Sequence, residues 1–472
     1  MKFGGTSMGS AERMRTAAAL SAEQARQRPT VVVVSAMSKI TDLLLDGLRH
    51  AELGDRAGLD ERLQELARRH RETAADLLDD AAREQALAGI AGLVAEYDRL
   101  ASGILMLGER PLRSVDEAIA IGERLSALLL AAYLDGQGVP AEAVNAREVI
   151  VTNAVFGGAT PLVRPTREKA QAVLGALLTK GTLPVVTGFN GATADGRPTT
   201  LGRGGSDFSA STLAAALDAS ELWIWSDVDG ILTADPRLVP DAAVMEEVTY
   251  AEAAELAYNG AKVLHARTLA PLVERKIPVW SKNSFAPEKP GTKIVAQATR
   301  AGAGGPRAVT STAAVALISV EPISPEVSGI KLMAQAMEAL AATGAEILAL
   351  TSSSYQQKFC FVVRREEVSR VQQALETALA LEIAHHYVKP IDVNTDVGLL
   401  AVVGEGMRGM PGFAGKIFSS ISREGVNVIS IAQGSSELTI AIVVAQEGLE
   451  RAVRAIHAEC GLGIAAAAAR GN

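Results

Sequence analysis

The sequence predicts a layered α/β fold with a mainly parallel sheet, followed by a pair of smaller α/β modules. Three observations predict it. The first is a set of short apolar runs: Val31-Val32-Val33-Val34, Leu183-Pro184-Val185-Val186-Thr187, Leu222-Trp223-Ile224-Trp225 and Ile277-Pro278-Val279-Trp280. Continuous apolar runs of this length read as strands buried on both faces, as in parallel sheets. The second is what lies between them. Residues 42–134 are rich in Ala, Leu, Glu and Arg, with few strand signals, and read as several helices. Strands alternating with helices give a sheet covered by helical layers. The third is an internal repeat. Strand, helix, strand and strand are expected at 314–320, 331–342, 346–351 and 359–363, and again at 399–403, 412–423, 427–432 and 438–444. Residues 351–363 align without gaps on 432–444. Each copy reads as a β-α-β-β unit followed by a helix. Between the two parts, Ala301-Gly302-Ala303-Gly304-Gly305-Pro306 is small and unpatterned, as a linker is.

Composition narrows the function. A chain of 472 residues predicts two to four domains, and 48% hydrophobic with 21% charged residues fits a soluble globular protein. The net charge of −8 argues against a general nucleic-acid binder. No apolar run reaches transmembrane length, and the polar, Gly-rich start is not a signal peptide. Cys360 and Cys460 are the only cysteines, too few for a disulfide framework or a zinc site, so a reducing cytoplasm is expected. The six histidines show no metal-ligand spacing.

The residues that carry chemistry fall at the ends of the expected strands, where ligands bind in such sheets. The chain opens with Met1-Lys2-Phe3-Gly4-Gly5-Thr6-Ser7, ahead of a helix expected from Ala11. Glycines let backbone N–H groups approach a ligand, a helix N-terminus favours an anion, and Lys2 adds a mobile charge. The segment reads equally as a phosphate seat or as a plain Gly-Gly turn. It is not a Walker A loop, whose spacing is absent. The sharpest cluster is Thr200-Leu201-Gly202-Arg203-Gly204-Gly205-Ser206-Asp207. Arg203 offers a planar fork for a carboxylate or phosphate, and Asp207 can orient a lysine or a metal-bound nucleotide. The rival is a surface Arg–Asp pair, worth little. The position after a strand-and-loop signal favours the functional reading.

Trp225-Ser226-Asp227-Val228-Asp229-Gly230 and the residues on to Arg237 follow another strand. Asp227 can meet a ribose or an amine and Arg237 a phosphate; an ordinary acidic loop is the alternative. Lys262 reads equally as a surface cation, and His265 as a packing residue. Residues 35–41 offer hydroxyls near a helix start, where Thr41 also fits a plain N-cap. Glu123 can receive an ammonium or be an ordinary first-turn acid.

In this order these segments resemble the aspartate kinase family, the aspartokinases. The likeness rests on Lys2-Phe3-Gly4-Gly5-Thr6-Ser7, residues 35–41, Gly122-Glu123, residues 202–207 and 226–237, Lys262-Val263 and Pro290-Gly291-Thr292. It extends to Ile431-Ala432-Gln433-Gly434-Ser435-Ser436-Glu437, which looks like part of a regulatory ACT module. The resemblance implies an amino-acid-kinase α/β/α sandwich at 1–298, a linker at 299–312, and two ACT-like βαββαβ modules at 313–392 and 393–472. It implies transfer of the γ-phosphoryl group of ATP, with Mg²⁺, to the side chain of L-aspartate. Lys2 and Asp207 would be catalytic; Thr41, Glu123 and Arg203 would hold aspartate. Lys2, Gly4, Gly5, Ser226, Asp227, Leu232, Arg237, Lys262 and Val263 would line the nucleotide site. Lysine or threonine would act as effector near Ser328, Gly329, Ile330, Met333, Glu346, Ile347, Ser352 and Gln433. The ACT modules would pair two chains into a homodimer or a larger homo-oligomer, with neither nucleic acid nor membrane as partner.

There are departures from the family pattern. Leu232 stands where many members have tyrosine, and Ser226 where threonine is common. Met1 directly precedes Lys2, so the first strand is expected to be very short or to begin upstream, and to fray. Gln433 has Ser352, not glutamine, at its aligned position. The chain ends soon after the second repeat without a G-x-G-x-x-G segment, which predicts a kinase without a fused dehydrogenase. A glutamate kinase of the same fold and a non-catalytic amino-acid sensor are the rivals. The opening motif and double tail oppose the first; Lys2, Arg203 and Asp207 together oppose the second.

Overall fold

The computed structural model describes residues 1–261, 264, 266–298, 304–323, 328–353 and 357–464. Internal contacts divide the chain into two compact units. Unit 1 comprises Met1–Ile231, Glu246–Tyr250 and Leu264–Ala296; unit 2 comprises Leu232–Met245, Ala251–Val263 and Gln297–Asn472.

The strands of unit 1 are β1 (Lys2–Phe3), β2 (Val32–Val34), β3 (Ala141–Val144), β4 (Val151–Thr152), β5 (Leu183–Thr187), β6 (Asn190–Thr193), β7 (Pro198–Thr200), β8 (Leu222–Ser226), β9 (Glu247–Thr249), β10 (Val279–Asn283) and β11 (Thr292–Val295). Its helices are α1 (Ala11–Gln27), α2 (Ile40–Glu52), α3 (Arg56–Leu77), α4 (Asp80–Leu107), α5 (Leu112–Ile119), α6 (Ile121–Gly136), α7 (Val163–Thr179) and α8 (Gly205–Ala216). In the chain α9 (Tyr250–Tyr258) then runs on into unit 2, and α10 (Ala266–Val273) returns to unit 1. The apolar runs become β2, β5, β8 and β10, and residues 42–134 fall in α2 to α6, as expected. Side-chain caps start the helices where the sequence offers them: Ser10 accepts from the Arg13 N–H, Asp55 from Gly58 and Asp79 from Ala82.

The main sheet has eight strands in the order β3-β5-β2-β1-β8-β10-β11-β9. It is parallel from β3 to β10; β11 turns antiparallel and pairs parallel with β9. A smaller sheet, β4-β6-β7, lies beside it in the chain. β1 has only two residues but occupies the centre. Lys2 pairs with Val33 on one side and Ile224 on the other. Phe3 is fully buried and stacks on Trp225 with ring centroids 6.1 Å apart. The short strand is therefore seated between two longer ones, with ladders on both sides, in place of the frayed start expected.

The strands of unit 2 are β12 (Ala308–Thr312), β13 (Val315–Val320), β14 (Ala349–Ser352), β15 (Phe359–Arg364), β16 (Asp392–Asn394), β17 (Val397–Val403), β18 (Val428–Gln433) and β19 (Thr439–Ala445). Its helices include α11 (Gly329–Thr343), α12 (Val368–Ala378), α13 (Ala380–Ala384), α14 (Phe413–Arg423) and α15 (Leu449–Glu459). The repeat is real at the level of register. Thr351 pairs with Cys360 in one copy, and Ala432 with Ala441 in the other.

The copies differ in where their fourth strand comes from. One sheet runs β14-β15-β13-β16; the other runs β12-β17-β19-β18. β12 lies in the segment expected as a linker, and all five of its residues pair antiparallel with β17. The first module is thus inserted between β12 and the rest of the second, and it closes with β16 across the expected boundary at 392. The two sheets share an apolar layer of Val315, Leu317, Val362, Val397, Leu399, Ala441 and Val443. β17 is buried at all seven positions, because sheet covers one face and helix the other.

Residues 232–245 and 251–258, placed by sequence in the 1–298 domain, belong with this unit. Ala234, Val239 and Ala242 pack in one core with Leu400, Ile442 and Ile456. Thr233 Oγ1 lies 3.0 Å from His457 Nε2, and its carbonyl accepts the Val309 N–H at 2.8 Å. Glu252 is 2% exposed; it accepts the Glu405 N–H at 3.1 Å and faces Arg307 at 3.4 Å. Replacing Thr233 by Val is expected to leave the buried His457 nitrogen unpaired and to lower stability by about 1–3 kcal/mol in denaturant titration. An unchanged midpoint would remove this bond from the account.

Candidate active site

A cavity of about 640 Å³ opens at the carboxyl ends of β1, β2 and β5. Lys2 and Gly5 line it from the first strand and turn, Ser35 to Lys39 from the loop after β2, and Phe189 from the loop after β5. The strand order reverses at the central β1, with β2, β5 and β3 on one side and β8 and β10 on the other, and crevices form at such a switch point in open α/β sheets.

Lys2 and Asp207, far apart in sequence, meet there. Lys2 Nζ lies 2.6 Å from Asp207 Oδ1, with the side chains 9% and 20% exposed. Asp207 sits in the first turn of α8, whose N-terminal residues Gly204 to Asp207 line the cavity. The first turn of α2, with Thr41 and Asp42, lines it too. Two helix N-termini therefore contribute positive potential. The helix beginning at Ala11, expected to supply that end, does not line the cavity. Thr41 is not an N-cap either: that position is Lys39, whose φ of 63° is left-handed.

The glycine turn is more constrained than its sequence implies. The Gly4 N–H donates to the Trp225 carbonyl at 3.1 Å, so it closes β1 against β8. A Cβ on Gly5 would lie 3.1 Å from the Ala36 carbonyl oxygen, which explains the small residue. Arg203 is exposed at the cavity rim, between Gly202 at φ 74° and Gly204 at φ 69°. Both turns are left-handed and favour glycine.

Glu123, in the first turn of α6, is 3% exposed. Its Oε1 accepts the Ala36 N–H at 3.1 Å, and its Oε2 has no hydrogen-bond partner among the described residues. Burial pushes its carboxyl up to about 8, against the opposing pull of the Ala36 amide and of Lys2. An isolated carboxyl in such a place is primed to take a cation.

Other expected residues are distributed differently. Ser226 and Asp227 end β8 outside this cavity. The Ser226 carbonyl accepts from Ser284 through its N–H (2.9 Å) and Oγ (3.0 Å), and Ser284 Oγ lies 2.7 Å from Ser7 Oγ. This hydroxyl chain joins the first turn to the strand end. Leu232 and Arg237 fall in unit 2. Leu232 packs half-buried on the core of that unit, and Arg237 forks onto Asp235 at 3.0 and 2.5 Å. Lys262, Val263 and His265 lie outside the described residues.

Of the effector candidates, Ser328 is the N-cap of α11, and its side chain accepts no capping hydrogen bond. The Ile330 N–H donates to Gln357 Oε1 at 3.1 Å, and Gly329 lies under the Gln357 side chain. Met333 and Ile347 pack half-buried on the first module, and Glu346 faces Arg364 at 3.3 Å. Ser352 and Gln433 end the equivalent strands β14 and β18.

Sequence reasoning missed Phe189 and Lys39, both left-handed non-glycines on the cavity wall, at φ 71° and 63°. No local signal marks Phe189. Lys39 lay within a motif read only for its hydroxyls. Among the described residues no group of three or more His, Cys, Asp or Glu can hold a metal by itself.

A mainly parallel sheet with a glycine-walled cavity at its carboxyl edge, lined by Lys2, Lys39, Arg203, Asp42, Glu123 and Asp207, defines an α/β ligand-binding chain. The model of the amino acid kinase family matches residues 1–283, and that of the ACT domain matches 400–460. The chain belongs to the amino acid kinase family. Its full-length likeness is to the aspartokinases. Bifunctional aspartokinase/homoserine dehydrogenase 1, chloroplastic, of Arabidopsis thaliana is 34% identical over 463 residues, 97% of this chain and 50% of that protein. The chain spans about half the length of the first such relatives. E. coli aspartokinase III in complex with aspartate and ADP (R-state) superposes with a TM-score of 0.82 at 30% identity, over 97% of this chain and 98% of that one. The same enzyme with lysine and aspartate (T-state) gives 0.78 at 29%, with coverage of 97% and 98%.

Proposed function

We propose that this chain is an aspartate kinase, transferring the γ-phosphoryl group of MgATP to the side chain of L-aspartate to give 4-phospho-L-aspartate. That step opens lysine, threonine, methionine and diaminopimelate biosynthesis. The observation that carries the reading is the buried Lys2–Asp207 pair beside the unpartnered Glu123 carboxyl. The aspartate and ADP bound by the E. coli relative support it.

The side chain of aspartate ionises near 3.9, so its carboxylate is a ready nucleophile at neutral pH. No general base is required, and no histidine among the described residues lines the cavity. What the reaction needs is alignment of two anions. Glu123 receives the substrate ammonium, Arg203 its α-carboxylate, and Thr41 lies in the same wall. Lys2, held by Asp207, faces the transferring phosphoryl group. Mg²⁺ bound to the nucleotide neutralises phosphate charge. The nucleotide lies toward Gly4, Gly5, Ser226 and Asp227. A reducing, cytoplasmic setting agrees with Cys360 and Cys460 forming no disulfide. No helix among the described residues is long and apolar enough to cross a membrane. A coupled ADP-release assay comparing aspartate with glutamate tests the reading; faster turnover of glutamate would defeat it.

The ACT-like modules would bind an amino acid, with lysine favoured by the E. coli lysine complex and threonine as the alternative. Millimolar lysine and threonine, singly and together, are expected to lower activity; no effect on activity or assembly rejects this. The same modules would pair two chains. β14 and β18 are the outer strands of their sheets and meet where the Thr351 hydroxyl donates to the Ile431 carbonyl at 3.2 Å, yet Leu350, Ile429 and Ile431 on them are 41%, 40% and 42% exposed. Exposed apolar edge strands invite pairing. Ile431→Lys is expected to shift the assembly to monomer in light scattering. A wild-type-sized particle would place the interface elsewhere.

A further inference from the structure

Asp116 lies in α5 and is 1% exposed, yet it does not line the cavity. Its Oδ2 accepts the Gly157 N–H at 2.9 Å and the Thr200 N–H at 3.0 Å. Its Oδ1 accepts the Thr200 hydroxyl at 2.6 Å. Among the described residues it has no cationic partner. A buried carboxylate without a cation is costly and persists where hydrogen bonds satisfy it. Here three donors from two separate segments converge on it.

Those segments support Arg203. Thr200 ends β7, three residues before Arg203, and its carbonyl accepts the Ala159 N–H at 2.8 Å. Between them, Leu201 is fully buried and donates its N–H to Phe189 at 2.8 Å. Gly157 lies beneath Gly202: a Cβ there would stand 3.3 Å from the Gly157 carbonyl oxygen. Asp116 therefore pins both the strand leading into the Arg203 loop and the backbone on which that loop rests.

We propose that Asp116 is a positioning residue that sets the height and direction of the Arg203 guanidinium, and through it the affinity for the acceptor amino acid. This rests on the aspartate-kinase reading of the same cavity. An acid is required because one carboxylate accepts all three hydrogen bonds; an amide turns a donor toward one of the donors it must satisfy.

The test is a double-mutant cycle. Asp116→Asn is expected to raise KM for aspartate roughly 10- to 100-fold, as for a lost charged hydrogen bond. Neither kcat nor KM for MgATP should move comparably. Arg203→Ala should raise KM for aspartate on its own, and adding Asp116→Asn should raise it little further. Independent, multiplying effects, or an unchanged KM for aspartate, overturn the proposal. If Asp116→Asn does not fold, Thr200→Val removes one donor and carries the test, with the same selective rise in KM expected. A wild-type enzyme that does not turn over aspartate overturns the aspartate-kinase reading instead, whatever Asp116 does.

Discussion

Lys2→Ala is expected to lower kcat by at least about 10²- to 10³-fold, the cost of deleting one preorganised electrostatic contact to a developing charge. The expectation rests on position. Lys2 is buried at the centre of the sheet, and its ion-pair partner, Asp207, is held by the first turn of α8. Lys2→Arg is not expected to restore activity, because a planar fork does not reproduce the compact charge of an ammonium held against Asp207. Asp207 is 20% exposed and stays partly solvated without its partner, so the fold should survive. Binding of aspartate, followed calorimetrically, should persist while ADP release stops. Near-normal turnover would remove Lys2 from the chemistry.

The second large effect concerns Glu123. Burial holds its carboxyl up at about 8. Only the ionised form can pair with an ammonium. The kcat/KM for aspartate reports the free enzyme, so it should rise about tenfold per pH unit below that value and level off above it. Aspartate binding near pH 7 should release close to one proton, visible as a buffer-dependent binding enthalpy. Glu123→Gln should raise KM by on the order of 100-fold at pH 8, as for the loss of a buried charge partner, and flatten the pH profile. Stability should move the other way. The folded value lies above the ordinary 4.5, so ionisation penalises the folded state; the penalty is absent below about 4.5, grows with pH, and is complete above about 8. Glu123→Gln should therefore be more stable than wild type at neutral pH, by up to about 3 kcal/mol, with the difference vanishing in acid. A pH-independent difference, or a wild-type KM, would contradict this assignment.

Much of this architecture was legible in the chain. Valine runs and helical stretches marked the layers because burial on both faces requires unbroken apolar strands. The repeat between 351–363 and 432–444 located two hairpins that pair in the same register. Gly202 and Gly204 marked a loop because only a left-handed backbone turns there cheaply. The short β3, β4, β6 and β7 went unread, since they carry little apolar pattern of their own.

By itself the sequence determined the element types, the repeat, and the candidate set of Lys2, Glu123, Arg203 and Asp207. The element types and the repeat follow from local composition and spacing; the residue set follows from the resemblance to the aspartokinases. The tertiary structure decided which of them meet. It seated a two-residue strand between two longer ones, gave β12 to the second module, and drew residues 232–245 into unit 2. It also separated two acids that look alike in sequence. Glu123 keeps one oxygen unpartnered, whereas Asp116 satisfies three donors, including Thr200 a full 84 residues away. Desolvation and long-range pairing depend on residues distant in the chain, so no local pattern carries them.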